Sequence, residues 1–140
     1  MTATVYRARW VLPVSGSPIA DGAVRVGRDG VIERVGPAAD VPTHGARLTD
    51  LGEVALTAGL INVHAHPELT LLRGQLENEA FAPWIERVIE LKYHTLGPEA
   101  IRASTWLGVA ECIAAGVTCI AAPDDAGFLQ EALTETGVRG

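Results

Sequence analysis

Apolar residues in the first 57 positions occur in short runs rich in β-branched and aromatic side chains, which predicts β-strands. One run spans residues 5–12 and ends in a turn-forming cluster of Pro, Ser and Gly. Two shorter runs, residues 23–26 and 31–35, flank an Asp29-Gly30 step that predicts a hairpin. Another strand pair is expected within residues 46–56. Because these strands carry few large side chains, we expect this part of the chain to have a thin core.

From residue 58 onward the pattern changes to strands that alternate with helices. Residues 60–63 form a short apolar run after a glycine, which suits a strand buried on both faces. Residues 117–121 form the next strand, and a third is expected to begin at Val138. Such alternation implies a parallel sheet with right-handed crossover connections.

Three helices are predicted in this second part. Proline suits the first positions of a helix and glycine its end, so we expect one helix from Pro83 to a stop at Gly97 and another over residues 98–116. A third helix should be capped by Asp124 or Asp125.

The number of predicted elements bounds the architecture. Two strands and the start of a third cannot close a (β/α)₈ barrel, which takes roughly 250 residues. We therefore expect an α/β fold that is the amino-terminal part of a longer enzyme, divided into residues 1–57 and 58–140.

The composition narrows the class of protein. Lys and Arg number 11 against 17 Asp and Glu, a net charge of −6, which argues against a nucleic-acid-binding surface. An apolar share of 48% with 20% charged residues indicates a globular chain. Two cysteines are too few for a disulfide scaffold, and no apolar run reaches the length of a membrane span, about 18 residues. Since its start lacks the pattern of a signal peptide, the chain is expected to be cytoplasmic.

The residues best suited to chemistry are His64 and His66, which directly follow the apolar run at residues 60–63. On an extended segment their side chains point to the same side, with Cα atoms about 7 Å apart. Neutral imidazoles in that arrangement can share a divalent metal ion, and the carboxyl end of a parallel strand is where barrels place catalytic groups. The alternative is a pair of polar residues that leave the strand for solvent.

The surrounding sequence carries a family resemblance. Residues 57–74, Thr-Ala-Gly-Leu-Ile-Asn-Val-His-Ala-His-Pro-Glu-Leu-Thr-Leu-Leu-Arg-Gly, resemble the first-strand signature of the amidohydrolase superfamily, in its cytosine deaminase, chlorohydrolase and adenosine-nucleoside deaminase branch. The run from Glu68 to Gly74 is most similar to deaminases of the aminofutalosine type. The resemblance continues through Phe81-x-x-Trp84 and the Gly116-Val117-Thr118 strand start, and extends back to the predicted hairpin.

The resemblance implies the start of a (β/α)₈ TIM barrel, preceded by part of a small β-sandwich domain. It also implies that His64 and His66 bind one divalent ion, zinc first, with iron and manganese as alternatives. Further ligands and the general acid and base are expected beyond residue 140. In the family the ion lowers the pKa of bound water to about 7, and the resulting hydroxide attacks an electrophilic ring carbon.

The resemblance therefore implies hydrolysis of a C–N bond other than a peptide bond. The simplest such reaction is deamination of an aminated heterocycle or nucleoside. One alternative is a chlorohydrolase, or a cyclic amide or imidazolone hydrolase, of the same superfamily. Another is an inactive truncated module without the remaining ligands, and residues 1–140 alone are expected to be inactive. The expected partner is a small heterocyclic substrate rather than nucleic acid or a membrane, and homo-oligomerisation is left open.

Two further residues are candidates for the substrate site or for support of the histidines. Glu68 could orient a histidine, or it could be a solvated loop residue. Arg73 could contact substrate, or it could form a structural ion pair. The sequence departs from its relatives at Ala122, where many have Asp, and at Tyr93, where adenosine-type relatives often have a ribose-binding Glu. The last departure leaves the nucleoside assignment open.

Overall fold

The computed structural model describes residues 2–140 and divides into two compact units, Met1–Ala58 and Gly59–Gly140. The first unit is a five-stranded sheet with the order β3-β2-β1-β4, in which β5 also pairs with β1. A single turn of 3₁₀ helix, Ala38–Asp40, follows β3. The strands are β1 (Ala3–Leu12), β2 (Ile19–Val26), β3 (Ile32–Pro37), β4 (Ala46–Asp50) and β5 (Ala55–Thr57).

The predicted hairpin is confirmed, because β2 and β3 pair antiparallel on either side of the Asp29-Gly30 step. Gly30 has a φ of +82°, a conformation that side chains with a Cβ rarely adopt. The expected thin core is also confirmed. It consists of small side chains, with Val5, Ala23 and Val41 at its centre.

The two strands predicted within residues 46–56 are both present, but they do not pair with each other. Each pairs parallel with β1 instead. The segment between them keeps running along β1, since Leu51 N donates to Arg7 O at 2.8 Å and Arg9 N donates to Gly52 O at 3.0 Å. Without a reversal of the chain, the two strands have no opportunity to face each other.

The second unit alternates strands and helices as predicted. Strands β6 and β7 pair parallel, and a parallel bridge between Cys119 and Arg139 extends the pairing beyond β7 where a third strand was expected. Helix α2 begins at Pro98 and ends before Gly116, whose φ is +82°, so that prediction is confirmed. The elements are β6 (Leu60–Asn62), a 3₁₀ segment (Pro67–Leu72), α1 (Phe81–Glu90), a π-helical turn (Leu91–Thr95), α2 (Pro98–Ala114), β7 (Val117–Ile120) and α3 (Phe128–Thr136).

The starts of the other two helices differ from the predicted ones. Helix α1 begins at Phe81 rather than Pro83, and its first turn is closed by a hydrogen bond from Trp84 N to Ala80 O. Proline is tolerated in that turn because its missing N–H would have no intrahelical partner. Helix α3 follows Gly127, and Asp124 caps it from upstream by accepting hydrogen bonds from the backbone N–H groups at its start.

The strand expected to be buried on both faces is instead exposed. Leu60 is 56% exposed, Ile61 67% and Val63 76%. Among residues 2–140, β6 has one neighbouring strand, β7, and the apolar core of the unit gathers around β7 and the helices. That core is centred on Val109, Ile120, Leu129, Ala132 and Leu133. No helix in the described part of the chain combines the length and the apolar run that a membrane crossing would need.

Candidate metal centre

The two candidate ligands follow directly from the end of β6. The Asn62 side chain accepts a hydrogen bond from His64 N at 3.2 Å, which fixes the backbone where the strand ends. Ala65, between the histidines, packs against the core formed by β7, α2 and α3. The chain bends at Val63 and His64, and the rings of His64 and His66 lie next to each other. Both residues are exposed to solvent.

The geometry of the two rings fits a shared metal ion. Their centroids are 5.2 Å apart, and their planes make an angle of 78°. Two imidazoles bound to one tetrahedral zinc ion through nitrogens at about 2.0–2.1 Å have ring centres about 5 Å apart. The same separation also suits an edge-to-face aromatic pair, so the spacing permits a shared ion without requiring one.

Two histidines do not complete a metal site. Within residues 2–140 no three side chains of His, Cys, Asp or Glu come together in a way that could hold a metal ion. Catalytic zinc sites use three protein ligands and leave one position for water or substrate. His64 and His66 alone could therefore supply only part of such a ligand set.

Glu68 lies beside the histidines and is 8% exposed. Its Oε1 atom is 3.2 Å from His66 Nδ1 and accepts a hydrogen bond from Lys92 Nζ at 3.0 Å. The residue is therefore in contact with a candidate ligand and is not a solvated loop side chain. This contact has the form seen around bound metals, where a carboxylate accepts the second ring N–H of a ligating histidine.

Helix α2 holds the 3₁₀ segment that carries Glu68. Ser104, fully buried, accepts a hydrogen bond from Leu71 N at 2.9 Å and donates one to Pro67 O at 3.3 Å. Gly108 lies against the same segment, and a Cβ at that position would be 2.8 Å from Pro67 Cα. The absence of a side chain at Gly108 thus allows close contact between the helix and the segment.

Arg73 is engaged in an ion pair with helix α2. Its guanidinium forms a bidentate ion pair with Glu111 on α2, with N–O distances of 2.9 and 2.7 Å. The hydrogen bond to Arg73 holds the pKa of Glu111 below its usual value. Of the four predicted site residues, the structure brings together His64, His66 and Glu68, and places Arg73 in an ion pair.

Three further residues join the group around Glu68, and the sequence patterns did not single them out for it. The ammonium of Lys92 also donates to Asp125 Oδ2 at 2.8 Å, and the Tyr93 hydroxyl donates to the same oxygen at 2.9 Å. Burial would lower the pKa of Lys92, but its hydrogen bonds to Asp125, Glu68 and Tyr93 outweigh that effect and raise it. Hydrogen bonds from Lys92 and Tyr93 lower the pKa of Asp125.

One signal in the sequence could have found this group. Asp125 follows β7 as His66 follows β6, and the carboxyl ends of neighbouring parallel strands meet at one edge of a sheet. Lys92 is also the only lysine in the sequence, since the other ten of the eleven Lys and Arg residues are arginines. Neither observation gives the pairing itself, since Lys92 is 24 residues from Glu68 and 33 from Asp125.

The known proteins that this chain is similar to include deaminases. No protein-family profile matches the sequence. The chain is 36% identical over 106 residues to the 5-methylthioadenosine/S-adenosylhomocysteine deaminase of Nitratidesulfovibrio vulgaris, an alignment that covers 71% of this chain and 23% of that protein. It is similar to the zinc-bound crystal structure of an adenosine deaminase from Xanthomonas campestris, with a TM-score of 0.78 and 28% identity over 97% of this chain.

The aminofutalosine deaminase of Helicobacter pylori shares the fold, with a TM-score of 0.78 at 17% identity over 94% of this chain. The chain spans about a quarter of the length of the curated relative, 23%, and about a third of each solved structure, 32%. The similarity therefore covers only one part of the fold of each of these longer proteins.

Proposed function

We propose that this chain, which belongs to the amidohydrolase superfamily, is the amino-terminal part of a metal-dependent hydrolase that removes an amino group from a heterocycle or nucleoside. The predicted resemblance to the deaminases of that superfamily is confirmed by the relatives and the structural neighbours. The reaction of the whole protein is our inference, because the chain covers 23% of the curated relative.

The observation that carries the proposal is the pair of histidines at the end of β6. They follow a parallel strand, their rings are 5.2 Å apart, and they lie within the 18-residue signature that resembles the superfamily. In this proposal His64 and His66 hold a divalent ion, and Glu68 supports His66 through its Nδ1 atom. When bound, the ion would lower the pKa of water and so supply a nucleophile at neutral pH.

We also propose which part of the whole protein's fold this chain forms. Strands β6 and β7 with their helices would be the first β/α units of a (β/α)₈ barrel, and the parallel bridge at Arg139 supports continuation of the sheet past β7. The five-stranded sheet of residues 3–57 would be part of the small β-sandwich domain. Barrels of this kind carry their chemistry at the carboxyl ends of the strands, which is where His64 and His66 lie.

For the substrate we propose an aminated purine, free or as a nucleoside. The relatives support this class, since two are named for adenosine or its thioether derivatives. In this chain Tyr93 occupies the position where adenosine-type relatives often have Glu, and its hydroxyl is bound to Asp125. Recognition of a ribose would therefore need another residue, which is why the free base remains within the proposal.

For the metal we propose zinc, because imidazole nitrogen is a preferred zinc ligand and a structural neighbour was solved with zinc bound. Iron and manganese accept the same ligands. Elemental analysis of the purified protein separates the three.

The test uses the full-length gene product that contains this chain, loaded with zinc and screened against aminated purines, pyrimidines and nucleosides. We expect release of ammonia that a chelator abolishes and added zinc restores. Hydrolysis of chlorinated or cyclic amide analogues without any ammonia release would show that the deaminase assignment is wrong. If no compound is hydrolysed and chelators change nothing, the chain is an inactive module and the enzyme assignment is wrong.

A further inference from the structure

Lys92 connects two segments that follow neighbouring parallel strands. Its ammonium donates to Glu68 in the segment after β6 and to Asp125 in the segment after β7, at 3.0 and 2.8 Å. The Lys92 side chain is only 14% exposed, and that of Glu68 only 10%. A lysine held between two carboxylates, with its stem covered, has one defined position, unlike a typical surface lysine.

A single oxygen of Glu68 is shared between Lys92 and His66. Oε1 accepts from Lys92 Nζ at 3.0 Å and lies 3.2 Å from His66 Nδ1. An ionised carboxylate has no proton to donate, so its contact with a ring nitrogen is a hydrogen bond only if that nitrogen carries a proton. If Nδ1 of a neutral ring carries that proton, the lone pair is on Nε2, where it is available for a metal ion.

We propose that Lys92 is a positioning residue for the metal centre, acting through Glu68. By holding the Glu68 carboxylate next to His66 Nδ1, Lys92 selects the tautomer and the ring orientation in which Nε2 can bind a metal ion. The proposal rests on the proposed function in taking His66 as a ligand, while the tautomer itself is a property of the metal-free protein.

The surroundings of Lys92 support this role. Asp125 Oδ2 accepts from both Lys92 and the Tyr93 hydroxyl, so the ammonium is held on the side away from Glu68 as well. Both Lys92 and Tyr93 lie in the π-helical turn that follows α1. Such turns are rare and are frequent at functional sites. The turn thereby links the positions of α1, the segment after β6 and the segment after β7.

The experiment measures zinc affinity of the full-length protein by competition with a chromophoric chelator. Lys92→Met keeps the length of the side chain and removes the charge, and we expect it to weaken zinc binding about 10- to 100-fold, the range for partners of metal ligands. Lys92→Arg keeps a cation and should restore affinity to within about threefold of wild type. Arg102→Met, which breaks the separate Arg102–Glu131 pair between α2 and α3, is the matched control and should leave affinity unchanged.

A double-mutant cycle tests whether Lys92 acts through Glu68. Glu68→Gln should weaken zinc binding by itself, and adding Lys92→Met to it should have little further effect. An equal loss from Lys92→Met in both backgrounds would contradict the proposal. So would unchanged affinity in a folded Lys92→Met protein. If that variant does not fold, Glu68→Gln, which keeps the size of the side chain, and Lys92→Arg, which keeps its charge, decide the question. Unchanged zinc affinity in a folded Glu68→Gln protein would then contradict the proposal.

A second measurement separates this proposal from the proposed function. In metal-free protein labelled with ¹⁵N-histidine, long-range ¹⁵N–¹H spectra report which ring nitrogen of His66 carries the proton. We expect Nδ1 protonation in wild type and a gain of the Nε2-protonated form in Lys92→Met or Glu68→Gln. Nε2 protonation in wild type would overturn the proposal even if zinc binds. Absence of zinc binding together with Nδ1 protonation would refute the metal site and leave the role of Lys92 in the tautomer intact.

Discussion

At the scale of single residues, the candidate metal centre depends on one short segment, residues 64–66. Ala65 packs against the core, whereas His64 and His66 are exposed, with ring centres 5.2 Å apart. The spacing of the two histidines is therefore as important to the site as their identity.

Replacing either histidine should remove the metal without unfolding the protein. We expect His64→Ala or His66→Ala in the full-length protein to weaken zinc binding more than about 100-fold, since even indirect partners of ligands contribute 10- to 100-fold. Both side chains are exposed, so no packed core is lost. The measurement is elemental analysis after dialysis, with circular dichroism to confirm folding.

His94→Ala is the matched control for these variants. His94 lies in the π-helical turn and is exposed to solvent, like the candidate ligands. It should keep wild-type zinc content. Full zinc occupancy in His64→Ala or in His66→Ala would show that the replaced residue is not a ligand.

At the scale of elements, the contact between α2 and the segment Pro67–Leu72 positions Glu68 and the preceding residue His66. Ser104 makes hydrogen bonds to both ends of that segment, and Gly108 allows close approach between them. Glycine inside a helix usually costs about 0.5–1 kcal/mol relative to alanine. Its presence in the middle of α2 is explained by the space that Pro67 occupies.

Gly108→Ala should therefore destabilise the protein although alanine is the better helix former. The new Cβ would lie 2.6 Å from Thr70 Oγ1 and 2.8 Å from Pro67 Cα, and the second contact involves backbone that cannot rotate away. We expect a loss of about 1–3 kcal/mol in the free energy of unfolding, typical of overpacking. Urea unfolding of the two proteins measures the difference.

Gly97→Ser, just before α2, is the control for this substitution. A Cβ there meets no atom within 4 Å, and serine is favoured at the cap of a helix. Its stability should equal or slightly exceed that of wild type. An increase in stability from Gly108→Ala, as helix propensity alone predicts, would contradict the close contact described for this segment.

At the scale of the whole molecule, the exposed apolar residues of β6 and the neighbouring Val63 stand out. Ile61 is 67% exposed and Val63 76%, and Leu60 before them is 56% exposed. Contiguous exposed apolar residues on a strand favour association with other surfaces, whereas single ones are common and harmless. Val14, 83% exposed in the first unit, is an example of a large apolar residue outside β6.

Residues 1–140 expressed as such should therefore self-associate through β6. Light scattering coupled to size-exclusion chromatography should show species larger than a monomer. The double variant Ile61→Thr, Val63→Thr should shift them toward the monomer, because this segment becomes more polar while both residues remain β-branched. Val14→Thr should change nothing. A monodisperse wild-type monomer with a single cooperative thermal transition would contradict this prediction.

Much of the fold was predictable from local sequence. The hairpin at Asp29-Gly30, helix α2 with its proline start and glycine end, and the order of strands and helices after residue 58 all follow from residues within a few positions of each other. The histidine pair belongs with them, because its spacing and its place after β6 are visible along the chain. Propensities, turns and alternation act over this range, so the sequence determined these features by itself.

Only the tertiary structure decided which distant groups meet. The pairing of β4 and β5 with β1, the exposure of β6, and the ion pair of Arg73 with Glu111 join or separate residues far apart in sequence. Lys92 reaches Glu68 and Asp125 across 24 and 33 residues. Such contacts depend on how helices and segments dock against each other, and docking is governed by shape and burial of whole elements rather than by local pattern.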